Sequence, residues 1–462
     1  STNNKFWGCG PMYDDEKWIS EQFGQADLGD PRRARRAQML ALNMLKAPGK
    51  GIPEQTQTWG GAKAAYRLFG RPEVTREALM QPHFEQTLQA CEARPGLMLF
   101  VQDTTELDFT HMRAAEGYGP IGNHAGCGLM VHSLMALGTS GEVLGLAAQR
   151  CWARSSGPTR KGTENSVQRK KRKGLESEVW PLVLESLGRP PAGHTWVSVG
   201  DRGSDSYDYW SRARRLGWHC LSRLFVDRRT TGPCKLLQTA RALSSQGELV
   251  VPQRARPGQA ARTLKLSLAW SAVQVCPPVN DPKYKGCEPL DASVLRVWDA
   301  QHGLEWILLF TGTLNSFDEA AQCVGWYEQR WSIEEFHKCL KSGCRIEHSQ
   351  LKQARSVQAL LGFSSIVAVR LLALARLARA RPDEPAAQHI EASYLRVLCA
   401  MRKLPAELTV RAYWREVARM GGFLGRTHDR DPGWQTLWKG LEKLEAWVAA
   451  WLDGFEEGRT CG

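Results

Sequence analysis

Residues 97–103 read Leu-Met-Leu-Phe-Val-Gln-Asp, a continuous apolar run that ends in an amide and a carboxylate. Residues 195–201 repeat this form as Thr-Trp-Val-Ser-Val-Gly-Asp. Continuous apolar strands are typical of a sheet that is buried on both faces, and an acidic residue after each strand indicates a site at the edge of that sheet. We therefore predict an α/β fold in which Asp103 and Asp201 lie at the carboxyl ends of two buried strands.

The sequence on either side of these runs predicts further strands. Residues 131–148 contain two apolar runs joined by the hairpin signal Gly-Thr-Ser-Gly at 138–141. Residues from about 220 to 315 instead alternate apolar and polar side chains, as in Leu-Lys-Leu-Ser-Leu at 264–268. This alternation predicts an all-β, mostly antiparallel insertion.

The N-terminal region, to about residue 75, is predicted to be helical. Asp30 followed by Pro31 has the pattern of a helix N-cap with proline at the first helical position. The four arginines that follow this cap are Arg32, Arg33, Arg35 and Arg36. They fit a solvated helix face or a phosphate-binding surface equally well.

The region from about residue 316 to the C-terminus is also predicted to be helical. Its final helix, 434–452, has an apolar stripe whose members are spaced three or four residues apart. Such a stripe packs either on its own chain or on a second protomer.

The charge balance favours a polyanionic partner. Lys and Arg outnumber Asp and Glu by 61 to 48, which gives a net charge of +13 and a pI near 9.2. Nucleic acid is the commonest polyanion that a basic protein binds. Hydrophobic residues at 42% and charged residues at 24% exclude a largely disordered chain.

The sequence predicts a cytoplasmic protein that does not cross a membrane. The most apolar stretch, 359–378, contains Arg370 and Arg376 and is interpreted as a buried core helix. The first residues are polar and do not form a secretion signal. None of the 13 cysteines has the spacing C-x-x-C, which argues against a zinc ribbon and fits reduced thiols.

A third carboxylate is predicted on a helix at 326–342. At 100° per residue, four polar side chains of this helix share one arc of about 60° beside its apolar face. They are Tyr327, Arg330, Glu334 and Lys341. One offers oxygen to a metal ion, and three suit phosphate oxygens.

Less specific interpretations of these acids stay open. Asp103 and Asp201 can each be a helix cap, because carboxylates at strand ends often are. Glu334 and His337 have the Glu-x-x-His spacing of a di-iron helix, although a second such pair is absent from the sequence.

The pattern Tyr-x2-Arg-x3-Glu-x6-Lys, with Arg-Trp-Ser-Ile-Glu-Glu-Phe-His-Lys at 330–338, resembles the signature of the bacterial IS-four family of cut-and-paste transposases. The chain is most similar to the Tn-five branch. The other matching segments lie at 28–33, 65–67, 103–105, 131–133, 201–202, 367–372, 418–423 and 452–455. They occur in the family's order and cover nearly the whole chain.

This resemblance implies an RNase H-like catalytic core, interrupted by a β-strand insertion between the second aspartate and the glutamate. It implies a triad of Asp103, Asp201 and Glu334 that binds two Mg²⁺ or Mn²⁺ ions, with Tyr327, Arg330 and Lys341 on phosphates of the transposon end. Trp306 matches a tryptophan that stacks on a flipped base, and it is otherwise a strand core residue. Arg223 matches an arginine near that base, although the residues around it depart from the family pattern.

The resemblance also implies three regions. Residues 1–75 are expected to bind the DNA end, 76–380 to form the catalytic domain and 381–462 to form a helical dimerisation domain. The basic stretch 160–173 is either a solvated loop or a DNA contact.

We predict from this a DNA transposase that acts as a homodimer on double-stranded transposon ends and target DNA, and that associates with the bacterial nucleoid when bound. Two alternatives stay open. One is a DNA-binding regulator descended from a transposase, and the other is an RNase H-like nuclease that performs no strand transfer.

Overall fold

The computed structural model describes residues 15–460 apart from 113–115, 123–124, 155–173, 254–261, 280, 300, 427–428 and 430. The basic stretch 160–173 therefore lies outside the described residues. The described chain is a mixed α/β structure built around one sheet of ten strands.

The strands are numbered here in chain order. They are β1 Gly96–Asp108, β2 Gly119–Ile121, β3 Gly126–Leu137, β4 Val143–Trp152, β5 His194–Gly200, β6 His219–Arg223, β7 Gly247–Gln253, β8 Arg262–Val275, β9 Leu290–Asp299 and β10 Leu304–Phe310. β1 pairs antiparallel with β3 and parallel with β5, and β5 pairs parallel with β6. β3 and β4 form the hairpin that the sequence predicted.

The helices of the described residues are numbered in the same way. They are α1 Asp15–Phe23, α2 Pro31–Lys46, α3 Ile52–Thr56, α4 Trp59–Phe69, α5 Arg76–Glu92, α6 Gly174–Leu187, α7 Tyr207–Arg215, α8 Leu236–Ala242, α9 Phe317–Glu328, α10 Trp331–Lys338, α11 Ala354–Ala380, α12 Ala392–Arg402, α13 Val410–Met420 and α14 Trp434–Thr460.

Both faces of the sheet are buried around β1, as the continuous apolar run at 97–101 predicted. Alternate residues of β1 point to opposite faces, as they do in any strand. Val101 belongs to a core with Phe336 of α10, whereas Phe100 belongs to a second core with Trp180 of α6 and Trp210 of α7.

The predicted all-β, mostly antiparallel insertion at about 220–315 is confirmed in the antiparallel pairing of β7 to β10, and the structure corrects it in two respects. The strands β7 to β10 continue the main sheet, because β10 pairs antiparallel with β6. The same stretch contains the helix α8, whose Leu236, Leu237 and Ala240 are buried. A helix of seven residues is too short to give a clear helical period within a strand-rich sequence.

The long helix α11 is a core element. Residues 354–376 are long and apolar enough to cross a membrane, but 89% of their most apolar stretch is buried inside the protein. Its two interior arginines are paired: Arg370 lies 3.7 Å from Asp15, and Arg376 lies 2.9 Å from Glu335. These contacts confirm the prediction of a buried helix.

The last three helices, α12, α13 and α14, form a separate apolar core that we call the C-terminal bundle. The stripe on α14 faces this core, with Leu437, Leu441 and Leu444 buried. Of the two alternatives for the stripe, packing on its own chain is confirmed for these three residues, whereas Leu452 at the end of the stripe is 44% exposed. α14 also extends beyond the predicted end at residue 452, to Thr460.

Candidate active site

Asp103 lies within β1 rather than at its end, which corrects the sequence prediction. β1 stays paired with β3 as far as Asp108, but its pairing with β5 stops at Val101. Asp103 therefore lies where β1 loses its parallel neighbour. A one-sided extension of a strand leaves little mark on hydrophobic periodicity, so the sequence did not indicate it.

Asp201 directly follows β5, as predicted. Its Oδ1 accepts a hydrogen bond of 2.7 Å from the backbone N–H of Gly203 and caps a short turn at Arg202–Ser204. The helix-cap interpretation of Asp201 is thus confirmed for one carboxylate oxygen. A capping role does not exclude a second role at the same edge of the sheet.

The carboxyl group of Asp103 is in an unfavourable environment for a negative charge. Burial first, and then the negative charges of Asp201 and Glu334, raise the pKa of Asp103 to about 7. The N–H of Thr104 and the guanidinium of Arg330 oppose this shift. The three carboxylates and one arginine predicted from separate parts of the sequence therefore lie within electrostatic reach of each other.

The predicted helix 326–342 is interrupted. α9 ends at Glu328, α10 begins at Trp331, and Cys339–Gly343 forms a π-helical turn. The hydroxyl of Ser332 donates to the carbonyl of Gln329 at 2.6 Å, which satisfies an acceptor at the first interruption.

These interruptions divide the predicted polar arc. Arg330 and Glu334 remain neighbours, with Nη2 and Oε1 2.7 Å apart. The Nζ atom of Lys341, beyond the π-helical turn, lies 3.5 Å from Oε1 of Glu347 instead. A π-helical turn inserts an extra residue into the helix, so an arc calculated at 100° per residue no longer holds for Lys341.

Aromatic and basic side chains adjoin the carboxylates. The rings of Trp306 and Tyr327 meet edge to face with centroids 5.4 Å apart, and the Arg330 guanidinium lies 5.8 Å from the Tyr327 centroid. Burial raises the pKa of Tyr327, while Arg330 and Arg223 oppose the rise. Trp306 is half-buried, so it is only partly the core residue of the alternative interpretation.

A buried polar network, which the sequence analysis missed, lies beneath Asp103. The amide nitrogen of Gln102 donates to the hydroxyls of Ser198 at 2.7 Å and Tyr209 at 2.9 Å. Its amide oxygen is 2.8 Å from Nε2 of His132, whose Nδ1 is 2.7 Å from the Thr104 hydroxyl.

The proton positions in this network follow from its geometry. Burial lowers the pKa of His132 to about 3, so its ring is neutral. Because the amide oxygen of Gln102 can only accept, Nε2 of His132 donates to it and Nδ1 accepts from Thr104. The network fixes the side chains on both sides of Asp103 and ties β1 to β5 where their pairing ends. In the sequence, the only indication of this network was the polar side chain of Gln102 next to Asp103.

The donor set suits a hard divalent cation. Among the described residues, no three His, Cys, Asp or Glu side chains are close enough to hold a metal ion as they stand. The ion pair with Arg330 holds Glu334, and like charges keep carboxylates apart. A cation would remove the repulsion between carboxylates that helps to raise the pKa of Asp103. Carboxylate oxygens are also the ligands that Mg²⁺ prefers. The residues present therefore fit such an ion.

The four N-terminal arginines do not form one uniform surface. The Asp30 cap is confirmed, because its side chain accepts from the N–H of Arg32. Arg32 and Arg33 form ion pairs of 3.1 Å with Asp30 and 3.2 Å with Glu73. Arg35 and Arg36 are exposed, and the described residues offer them no ion pair. The last two are therefore the available cations of the set.

Three protein-family models match the chain. The transposase DNA-binding model matches residues 15–74, the transposase DDE domain matches 162–370, and the transposase Tn5 dimerisation domain matches 366–456. The DDE match contains Asp201 and Glu334, and Asp103 precedes it.

Among solved structures, the chain matches one titled "Cryo-EM structure of piggyBac transposase synaptic complex with hairpin DNA (SNHP)" at 11% identity and a TM-score of 0.36. The alignment covers 96% of this chain and 74% of that chain. A TM-score this low establishes no shared fold. The three domain matches, in this order along one sequence, identify the chain as a member of the Tn5-like DDE transposases.

Proposed function

We propose that this protein cuts the ends of a transposon and joins them to target DNA. The observation that carries the proposal is the convergence of Asp103, Asp201 and Glu334 from β1, the end of β5 and α10. Such a set of carboxylates serves phosphodiester chemistry. The order and direction of β4, β3, β1, β5 and β6 support an RNase H-like core, which β7 to β10 extend.

Asp103, Asp201 and Glu334 are the residues that would hold two Mg²⁺ ions, or Mn²⁺ in their place. When bound, the ions would activate a water molecule and stabilise the leaving oxygen. The ion pair between Arg330 and Glu334 would then break, because the metal ions would balance the charge of the Glu334 carboxylate.

Arg330, Tyr327 and Lys341 would hold phosphates of the DNA end. A guanidinium can donate two parallel hydrogen bonds to phosphate, and a lysine adds a point charge. Trp306 and Arg223 would receive a base turned out of the duplex, because an aromatic face offsets the stacking that the base loses. The edge-to-face contact with Tyr327 holds Trp306 ready for this role.

Residues 1–75 would bind the transposon end, and 381–462 would contribute to a homodimer that pairs two ends, each cut mainly by the other protomer. The contact would use surface of the C-terminal bundle other than the buried part of the α14 stripe. We place the protein in the bacterial cytoplasm, on the nucleoid when it is bound to DNA.

The proposed reaction has four in-line phosphoryl transfers. Water nicks one strand and leaves a 3′-OH, and this hydroxyl attacks the opposite strand to form a hairpin. Water opens the hairpin, and the free 3′-OH attacks target DNA. The steps differ only in the nucleophile, so one set of carboxylates can serve all of them.

The test uses the inverted repeats expected on either side of the reading frame, placed on one DNA molecule, with the full-length protein and Mg²⁺. We expect nicked, hairpin and joined products in succession. Cleavage without joining would indicate the nuclease, and binding without cleavage would indicate the regulator. Either result would overturn the proposal.

A further inference from the structure

Two exposed apolar side chains stand beside the candidate active site. Phe225 is 57% exposed, and Val226 is 38% exposed. They follow β6, which runs parallel to β5 with Gly200 opposite Ser222. They therefore emerge at the same edge of the sheet as Asp201. Single exposed apolar residues are ordinary on protein surfaces, so exposure alone does not indicate a function. What distinguishes Phe225 and Val226 is the set of hydrogen bonds that fixes their backbone.

A buried aspartate fixes the backbone of this pair. The side chain of Asp205 has no solvent exposure, and its Oδ2 accepts from the N–H groups of Phe225 at 2.8 Å and Val226 at 2.9 Å. Its Oδ1 pairs with Arg228, which also donates to the Asp205 carbonyl at 2.6 Å. The Arg228 guanidinium lies 4.9 Å from the centroid of the Trp210 ring.

The two ends of the segment are fixed as well. The N–H of Leu224 donates to the carbonyl of Ile307 in β10 at 2.8 Å. The N–H of Leu237 in α8 donates to Oδ1 of Asp227 at 2.8 Å. A buried charge such as that of Asp205 is costly unless it is paired and hydrogen-bonded. Here its partners are the segment that keeps Phe225 and Val226 exposed to solvent. Such a rigid element loses little entropy when it binds a partner.

The surroundings favour DNA as that partner. Ile307, which accepts the hydrogen bond from Leu224, directly follows Trp306, so the pair continues the aromatic and basic side of the site. Two exposed cations lie at the same edge of the sheet: Arg202 directly follows Asp201 after β5, and Arg229 follows the segment along the chain. Apolar side chains between cations suit a duplex, since the cations take phosphates and the apolar groups enter between bases.

We propose that Phe225, with Val226 beside it, is an apolar wedge that separates the terminal base pairs of the DNA end at the candidate active site. This inference rests on the proposed function and adds to it the residue that opens the duplex. Phe225 would enter between base pairs, while Asp205 and Arg228 keep its backbone from yielding.

The test measures unstacking directly. The probe is a duplex that ends in the flanking inverted repeat and carries 2-aminopurine, whose fluorescence rises on unstacking, at its terminal pairs. Divalent cations are left out so that the DNA stays uncut. We expect wild-type protein to raise the fluorescence and Phe225→Ala to lose most of that rise, with DNA affinity within about twofold because the phosphate contacts remain.

Two further measurements separate a wedge from a structural role. With Mg²⁺, Phe225→Ala should cut a fully paired end about tenfold more slowly, as expected for the loss of one aromatic contact to a base. A mismatch at the terminal pairs should restore most of that rate, since the duplex is already open. The matched control is Leu424→Ala, which removes a side chain of 67% exposure from another surface and should change neither signal.

A full fluorescence rise with Phe225→Ala, or a cleavage defect that a mismatch does not relieve, would overturn the wedge. These results differ from a failure of the proposed function, in which wild-type protein itself would neither bind nor cut the repeat.

Discussion

The sheet edge around Asp103 and the C-terminal bundle are built on opposite principles. In the bundle, apolar side chains interlock, and a Cβ atom at Gly440 of α14 would lie only 1.7 Å from the carbonyl oxygen of Val417 in α13. At the sheet edge, burial and like charge disfavour the ionised form of Asp103. The bundle is thus optimised for stability, whereas the edge gives up stability for a concentration of charge that has a chemical use.

The largest expected effect comes from removing a carboxylate at the edge. Asp103→Asn, Asp201→Asn and Glu334→Gln should each reduce cleavage of the transposon end by roughly a hundred- to a thousandfold, which is what the loss of one electrostatic group in an active site costs. DNA affinity should change little. The rates are measured on end DNA with Mg²⁺.

The matched control is Asp108→Asn. Asp108 is an exposed carboxylate on the same strand, and its side chain accepts from the N–H and hydroxyl of Thr110. A loss as large as that of Asp103→Asn would show that any charge on β1 matters and would remove the distinction between the two aspartates.

In the bundle, the largest effect should be on folding. Gly440→Ala places a methyl group against the Val417 carbonyl, so the helices must separate, at a cost of about 3 kcal/mol in the free energy of unfolding of the bundle. Gly433→Ala is the control, because nothing lies within 4 Å of the added atom. Denaturant unfolding measures both, and equal stability of the two variants would contradict the close packing.

The pH dependence of stability should contain a contribution from the sheet edge, beside one from Glu445 of α14, whose pKa burial raises to about 8. The folded-state pKa of Asp103, about 7, is above the unfolded value of about 3.9, so the folded state holds this proton more tightly. The contribution of Asp103 to the stability of the metal-free protein should therefore fall as pH rises from about 4 to 7, by about 4 kcal/mol, and then level off. Asp103→Asn should lose this part of the dependence, and an unchanged curve would place the cause elsewhere.

The smallest effect should come from the N-terminal arginines. Replacing Arg35 and Arg36 by alanine should weaken binding of the DNA end and reduce the slope of log K against log salt by about 0.9 for each lost phosphate contact. The control is Arg33→Ala, which breaks an ion pair with Glu73. A larger loss of slope from Arg33→Ala would reverse the assignment of the available cations.

Much of this fold could be predicted because its strands follow simple patterns. The apolar runs before Asp103 and Asp201 are buried strands, and the alternating residues at 264–268 lie in β8. The Asp30 cap needed only the sequence Asp-Pro. The carboxylates and the polar helix arc of the candidate site could be named from local patterns, whereas Trp306 and Arg223 were named from the resemblance alone. The structure brings Arg223, Trp306, Tyr327 and Arg330 near the carboxylates.

The features that could not be predicted from the sequence depend on how distant segments are placed relative to each other. The π-helical turn at Cys339–Gly343 separates Lys341 from Glu334, and no local composition indicates it. The stripe on α14 is equally apolar whether it packs on its own chain or on another one. Only the position of α13 in the folded protein shows that it packs on its own chain. The network of Gln102, Ser198 and His132 joins three strands and cannot be seen in any one of them.

The central claim, that the three carboxylates form one cation site, is tested most directly by the effect of Mg²⁺ on thermal unfolding at about pH 8, where Asp103 is ionised in both states. A ligand that binds only the folded state raises its stability in proportion to the logarithm of ligand concentration. We predict that the unfolding temperature of the wild-type protein rises with Mg²⁺ and that this rise is lost in Asp103→Asn, Asp201→Asn and Glu334→Gln but kept in Asp108→Asn. An equal rise in all five proteins would contradict the site.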